Sequence, residues 1–369
     1  MSKEKSELQL AAERIESLVN LTNVKINELG NHAYSLNNVL TIIQNQFDKI
    51  RNVPSDTKRK YELAKEVRLE WKQQVDKIEH DYNSATKVEL STGAATTGMG
   101  VGVATLGPTA AMSIATTFGV ASTGTPIATL SGAAATKAAL AWLGGGTLAA
   151  GGGGMAGGSA FLALAGPVGW SIAGVAILSS GLMWLITKSN KKRLERVFKD
   201  ISDRDEKKYK LAIVELNERI KRIIDETAKL NDAIVDIGTF GVDYENMTEQ
   251  QQYTLGTYVN LMFASSQLLV NPIMGLQPNY TEKDLDAFLS SNKVEPEYLL
   301  KKNLSVYFAN LLYKIETDEK DRKLLAKSFK GNKQFREQMK FEKKDIDFGL
   351  FNLVDRALEF SYYLNSATL

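Results

Sequence analysis

Two histidines, His32 and His80, are the only imidazoles in a chain that has no cysteine. That composition excludes disulfides and thiolate metal sites, and it leaves no Cys–His or paired-His constellation for nucleophilic or metal-assisted chemistry. His80 stands in "KIEHDYN" with no second histidine at ligand spacing. Gly152, Gly154 and Gly157 match G-x-G-x-x-G, but no strand precedes them, and a glycine-rich run produces such matches by chance. Lys137 belongs to no GxxxxGK[ST] arrangement. The expectation is a protein that is not an enzyme and needs no cofactor or metal.

Two other kinds of interaction are within reach of these residue types. The first is with phosphate. Lys323, Lys327, Lys330, Lys333, Arg336, Lys340, Lys343 and Lys344 fall in one stretch, with Phe329, Phe335 and Phe341 between them. Single-stranded nucleic acid needs cations for its phosphates and rings for its bases, which makes Lys327, Lys330, Lys333, Arg336 and Lys340 candidate contacts. The competing reading is a solvated helix face whose phenylalanines turn into a core. Counterion release separates the two, because nucleic-acid affinity falls steeply with salt.

The second is with lipid. Between Leu90 and Thr187 the one charged side chain is Lys137, and about three-quarters of the 28 glycines lie there. As a water-exposed helix, "LGGGTLAAGGGGMAGG" (143–158) would carry a penalty of roughly 9 kcal/mol relative to alanine. "VGWSIAGVAILSSGLMWLI" (168–186) is uncharged over a length of about 30 Å, the hydrocarbon thickness of a bilayer. Trp170 and Trp184 stand near its ends, where indole rings favour the membrane–water boundary. Lys188, Lys191, Lys192 and Arg193 follow at once, which places that end on the cytoplasmic side or against anionic lipid. In lipid, helices associate through small residues at four-residue spacing; Gly124, Ala128 and Gly132, and Gly153 with Gly157, have that spacing. Lys137 would line a pore in an oligomer, or reach an interface by extending its stem. Gly107-Pro108, Pro126 and Gly166-Pro167 divide the zone into pieces that allow two to four passes. An even number returns both flanks to one side. The alternative is a non-channel scaffold or anchored interaction protein, with this zone as a buried core or a simple anchor.

The flanking elements must hold that zone in place. Leu8, Ala12, Ile15, Leu18, Val19, Val39, Ile42, Ile43 and Phe47 recur at helical steps. After the Pro54 break, Tyr61, Ala64, Val67, Trp71, Val75, Ile78 and Tyr82 do the same, which predicts an antiparallel hairpin. Leu194, Val197, Ile201, Leu216, Ile220, Ile223, Leu230, Ile234 and Ile237 form a further stripe that ends at "GTFG". Burial of the first stripe against the third would make a coiled-coil bundle. Thr248 and Thr281 predict helix starts, and further helices are expected over 296–315, 320–329 and 350–364. No alternating strand pattern stands out. The expected fold is all-α, with long coiled-coil helices flanking a Gly/Ala-rich membrane-inserting zone. The expected divisions are an N-terminal hairpin (1–89), the glycine-rich zone (90–187), a juxtamembrane helix (188–240) and a C-terminal helical regulatory domain (241–369). "MSKEKSELQL" has no apolar core before a cleavage site, so synthesis in the cytoplasm and insertion into the inner membrane are expected.

"GTPIATLSGAAATKAALAWLGGGTLAAGGGGMAGG" (124–158) resembles the apolar core of bacterial glycine-zipper proteins that place such a zone between coiled coils. The architecture is similar to α-helical pore-forming toxins of the cytolysin A type. It also resembles the membrane effector of Hailong-type anti-phage systems. The resemblance covers about a third of the chain at motif level and the rest by architecture alone. It implies a homo-oligomeric channel held closed by single-stranded DNA that a partner nucleotidyltransferase makes. It transfers no individual binding or catalytic residue.

Overall fold

The computed structural model describes residues 7–91, 188–271, 273–276, 279–292, 301–332, 336 and 342–367. The fold is all-α. Its helices are α1 (Glu7–Phe47), α2 (Ser55–Ser91), α3 (Lys188–Ile237), α4 (Glu249–Val270), α5 (Glu282–Ser291), α6 (Lys302–Leu312), α7 (Glu319–Gly331) and α8 (Phe348–Ala367). Single 3-10 turns occupy Tyr244–Asn246, Met274–Leu276 and Lys343–Asp345. Among the described residues there is no strand, and one isolated bridge joins Arg51 to Asp243.

Helix starts follow local side-chain chemistry. Thr248, Thr281 and Asp318 each receive the backbone N–H three residues on, and that residue's side chain returns to the cap's own N–H. Two of the orphan donors at each helix start are thereby satisfied. The third helix stops at Ile237, and the turn after it uses Gly241 at φ +82, a conformation that costs glycine little.

Helices α1 to α4 form a bundle whose directions are set by named contacts. Arg14 Nε donates to Glu206 at 3.1 Å, and Gln46 Nε2 donates to the Ile234 carbonyl at 3.1 Å, so α1 and α3 run parallel. Lys65 reaches Asp48 at 2.8 Å and Trp71 meets Tyr34 edge-on at 6.2 Å, so α2 runs antiparallel to both. Ser265 donates to Glu226 at 2.5 Å and Arg219 donates to the Leu268 carbonyl at 2.9 Å, which makes α4 antiparallel to α3. The last turn of α2 and the first turn of α3 therefore point to the same end of the bundle.

The bundle core joins Leu29, Leu36, Leu40 and Ile43 of α1 to Trp71 of α2, Leu216, Ile223 and Leu230 of α3, and Leu255 and Met262 of α4. The sequence pattern is obeyed unevenly. Ile43 is buried, whereas Ile42 lies on the outer face at 50% exposure. Helix α4 belongs to this bundle, although a boundary at residue 241 would group it with the chain that follows.

The second core is built on the first turns of α3. Leu194, Val197, Phe198 and Ile201 pack against Phe288, Phe308, Leu325, Phe329 and Phe351 of the C-terminal lobe. Phe308 is the centre of an aromatic group, 5.0 Å from Phe329 and 4.5 Å from Phe351 between ring centroids. Asn310 stitches the lobe to the preceding strap: it accepts from the Asn279 and Tyr280 amides and donates to the Tyr280 carbonyl at 2.6 Å. One helix thus serves both cores. Its first four turns carry the lobe, and its remainder forms part of the bundle.

Candidate functional site

The candidate site is the end of the bundle where α2 finishes and α3 begins, because residues 92–187 join those two helix ends. Gly124, Gly132, Lys137, Gly153, Gly157, Trp170 and Trp184 lie outside the described residues. Among the described residues, no helix is long and apolar enough to cross a membrane, and no cluster of potential ligands could hold a metal ion.

The basic cluster opens α3, where the helix macrodipole already adds positive potential. Cations there are helped by nearby anions, which Lys191, Arg193 and Arg196 have. Lys188 is the first helical residue. Lys191 and Lys192 are exposed, Lys191 within 3.8 Å of Glu195. Arg193 and Arg196 turn toward the C-terminal lobe. Arg193 Nε donates to Asp321 Oδ1 at 2.8 Å and its Nη2 to Asp318; Arg196 Nη2 donates to Asp321 Oδ2 at 2.5 Å. Asp321 is 1% exposed, while the two arginines are 30% and 46% exposed. The Arg193 hydrogen bond holds the Asp318 carboxyl at about 2, with backbone donors at the start of α7 acting in the same direction.

About two helical turns beyond Arg196, Arg204 Nη1 donates to the Asn310, Leu311 and Tyr313 carbonyls at 3.1, 2.9 and 2.7 Å. It supplies donors that the C-terminal end of α6 would otherwise lack. Beside it Asp205 is buried and pairs with Arg204 at 2.8 Å; burial pushes its carboxyl up from the ordinary value. Burial also lowers the Lys208 amine to about 8, and its Nζ donates to Asn279 at 3.1 Å. These polar groups lie where the two cores meet, next to the contact of Ile15 with Tyr209.

The candidate phosphate contacts divide. Lys327 is exposed and Lys330 half-buried on α7, and Arg336 is half-buried; Lys333 and Lys340 lie outside the described residues. Lys320, Lys323 and Lys327 share the exposed side of α7. Phe329 is fully buried in the lobe core, so it takes the packing role rather than the stacking one.

Sequence reasoning missed Asp318, Asp321, Arg204 and Asp205. The Asp-x-x-Asp spacing before "RKLLAKSF" marks a helix start, and could have identified Asp318 and Asp321 as the cap of the helix expected over 320–329. Nothing local reveals that the same carboxylates meet arginines more than a hundred residues away. Comparison with protein-family models, curated proteins and solved structures finds no match to this chain.

Proposed function

We propose that this protein is an oligomeric membrane-inserting effector. Its nearly uncharged segment enters the inner membrane and forms a pore or ion channel, and its helical bundle and C-terminal lobe assemble and gate that channel in a toxin or anti-phage role. The observation that supports this reading most directly is the one-charge composition of 90–187, combined with flanks that leave and rejoin the bundle at one end. A nearly charge-free stretch of that length has a ready environment in lipid, and flanks on one side fit an even number of passes. The resemblance of 124–158 to glycine-zipper effectors points the same way. It also suggests single-stranded nucleic acid, supplied by a partner enzyme, as the gating ligand. The exposed lysines of α7 are the charges such a ligand would meet first.

The deciding experiment is dye release and single-channel recording from the purified full-length chain in vesicles of inner-membrane lipid composition. Stepwise conductance is the expected result. Protein that stays in the aqueous fraction after carbonate washing, with vesicles intact, overturns the reading.

A further inference from the structure

We infer that Asp318 and Asp321 form a latch that withholds Arg193 and Arg196 from anionic lipid headgroups, and that exchange of the two guanidiniums onto those headgroups loosens the start of α7. The inference rests on the membrane reading above. The four residues lie on the two elements that meet at the segment-bearing end: the first turns of α3 and the N-terminus of α7. The arginines are a third to a half exposed, so they can swing outward while Leu194, Val197 and Phe198 stay packed in the lobe core. Asp321 cannot follow them, because it is buried and held by α7 through its hydrogen bond from the Asp318 amide at 3.3 Å.

The asymmetry gives the latch its consequence. While both arginines are docked, Asp321 is neutralised by two donors and sits at the positive end of a helix macrodipole. Once they leave, a buried carboxylate is left without cations, an arrangement that strongly destabilises its surroundings. Lipid binding by the arginines and firmness of the α7 start are then reciprocally linked: whatever strengthens one weakens the other. The neighbouring charges do not substitute for the arginines. Lys191 is near Glu195, Lys323 pairs with Glu319, and Arg322 pairs with Asp355 at 2.9 Å. Arg196 has further partners in Asp200 at 3.4 Å and the Glu316 carbonyl at 3.3 Å, which leaves Arg193 the more dependent on the aspartates.

The test uses the full-length protein with vesicles of phosphatidylcholine alone or mixed with phosphatidylglycerol, and follows amide exchange in 319–331 together with co-sedimentation. Asp318→Asn combined with Asp321→Asn frees the arginines; Arg193→Gln combined with Arg196→Gln opens the latch but removes the lipid-seeking groups. The arginine variant is expected to accelerate α7 exchange about tenfold or more in the absence of lipid, because it strands the Asp321 carboxylate; the aspartate variant leaves no buried charge and accelerates exchange less. Only the aspartate variant gains affinity for phosphatidylglycerol vesicles, severalfold, and neither gains for phosphatidylcholine. Asp318→Asn alone, at a 59% exposed side chain, gives a smaller change of the same kind in a chain whose lobe core is untouched. Unchanged α7 exchange in the arginine variant overturns the latch, even if the wild type permeabilises vesicles. Equal gains in vesicle binding by both variants overturn the role of the arginines. Faster exchange with no vesicle binding by any of the proteins overturns the lipid exchange together with the membrane reading.

Discussion

Gly275 lies so close to Ala212 that a β-carbon at position 275 would fall 2.7 Å from the Ala212 backbone nitrogen and Cα. The contact fixes the Met274–Leu276 turn against α3, and the Gly275 amide donates to Glu215 Oε2 at 2.8 Å. Backbone cannot rotate aside as a side chain can, so Gly275→Ala is expected to lower stability by about 1–3 kcal/mol. Gly256 in α4 has open space around it, and Gly256→Ala should raise stability by about 0.4–1 kcal/mol through the unfolded chain. Urea unfolding of the two variants beside the wild type checks both signs; equal shifts would remove the argument from close approach.

A buried guanidinium joins α1 to α2. Arg68 is 6% exposed and donates to Gln44 Oε1 at 2.7 Å, Thr41 Oγ1 at 2.9 Å and Asn37 Oδ1 at 3.3 Å. Three neutral acceptors at fixed heights along α1 specify the register of the hairpin. Arg68→Ala is expected to cost about 1–3 kcal/mol, because it leaves those acceptors without a donor. Gln44→Ala should cost more, since it leaves the charge buried and short of an acceptor. Denaturation midpoints of the two single variants give the order directly.

The Asp318 carboxyl should titrate well below the ordinary 3.8, at about 2, because ionised Asp318 accepts from Arg193. A folded-state pKa that is depressed contributes stability fully present above the unfolded value and lost as pH falls through the folded one. The ion pair is therefore expected to be intact from neutral pH down to about 4, and to fail between 4 and 2. Carboxyl-carbon NMR resolves the midpoint, and Arg193→Gln should move it back toward 3.8. A midpoint unchanged by that substitution would separate Asp318 from Arg193.

Lys208 makes stability rise with pH as well, but in an alkaline window and because burial disfavours its charge. Burial holds its amine near 8 against an ordinary 10.5, with Asp205 pulling the other way. Between those two values the unfolded chain binds more protons, so the contribution of this group to stability rises as pH climbs from 8 toward 10.5. Unfolding at pH 7 and at pH 9.5 should show the wild type gaining on Lys208→Met at the higher pH. A constant difference between the two proteins would mean that the amine is solvated in the fold.

Much of the helical layout was legible because its determinants are local. The capping threonines Thr248 and Thr281 mark starts that the structure keeps, and the "GTFG" turn stops α3 where the apolar stripe ends. Of the helix expected over 296–315, residues 296–300 lie outside the described residues, and the described helix is Lys302–Leu312. The basic–aromatic stretch shows how a local pattern can point two ways. Lysines at 323 and 327 stay in solvent, and Phe329 between them and Lys330 is consumed by the core.

The sequence by itself determined that this chain is helical, where several helices begin and end, and that a nearly uncharged stretch interrupts two polar zones. Those properties depend on backbone hydrogen bonding, capping and hydropathy within a few residues. Tertiary structure alone decided that α4 completes the bundle, that α3 is shared between two cores, and that Arg193 and Arg196 meet Asp318 and Asp321. An apolar stripe states only that a face must be covered, and a charge states only that it needs water or a counterion. Which surface and which counterion are settled by shape and distance once distant segments are packed together.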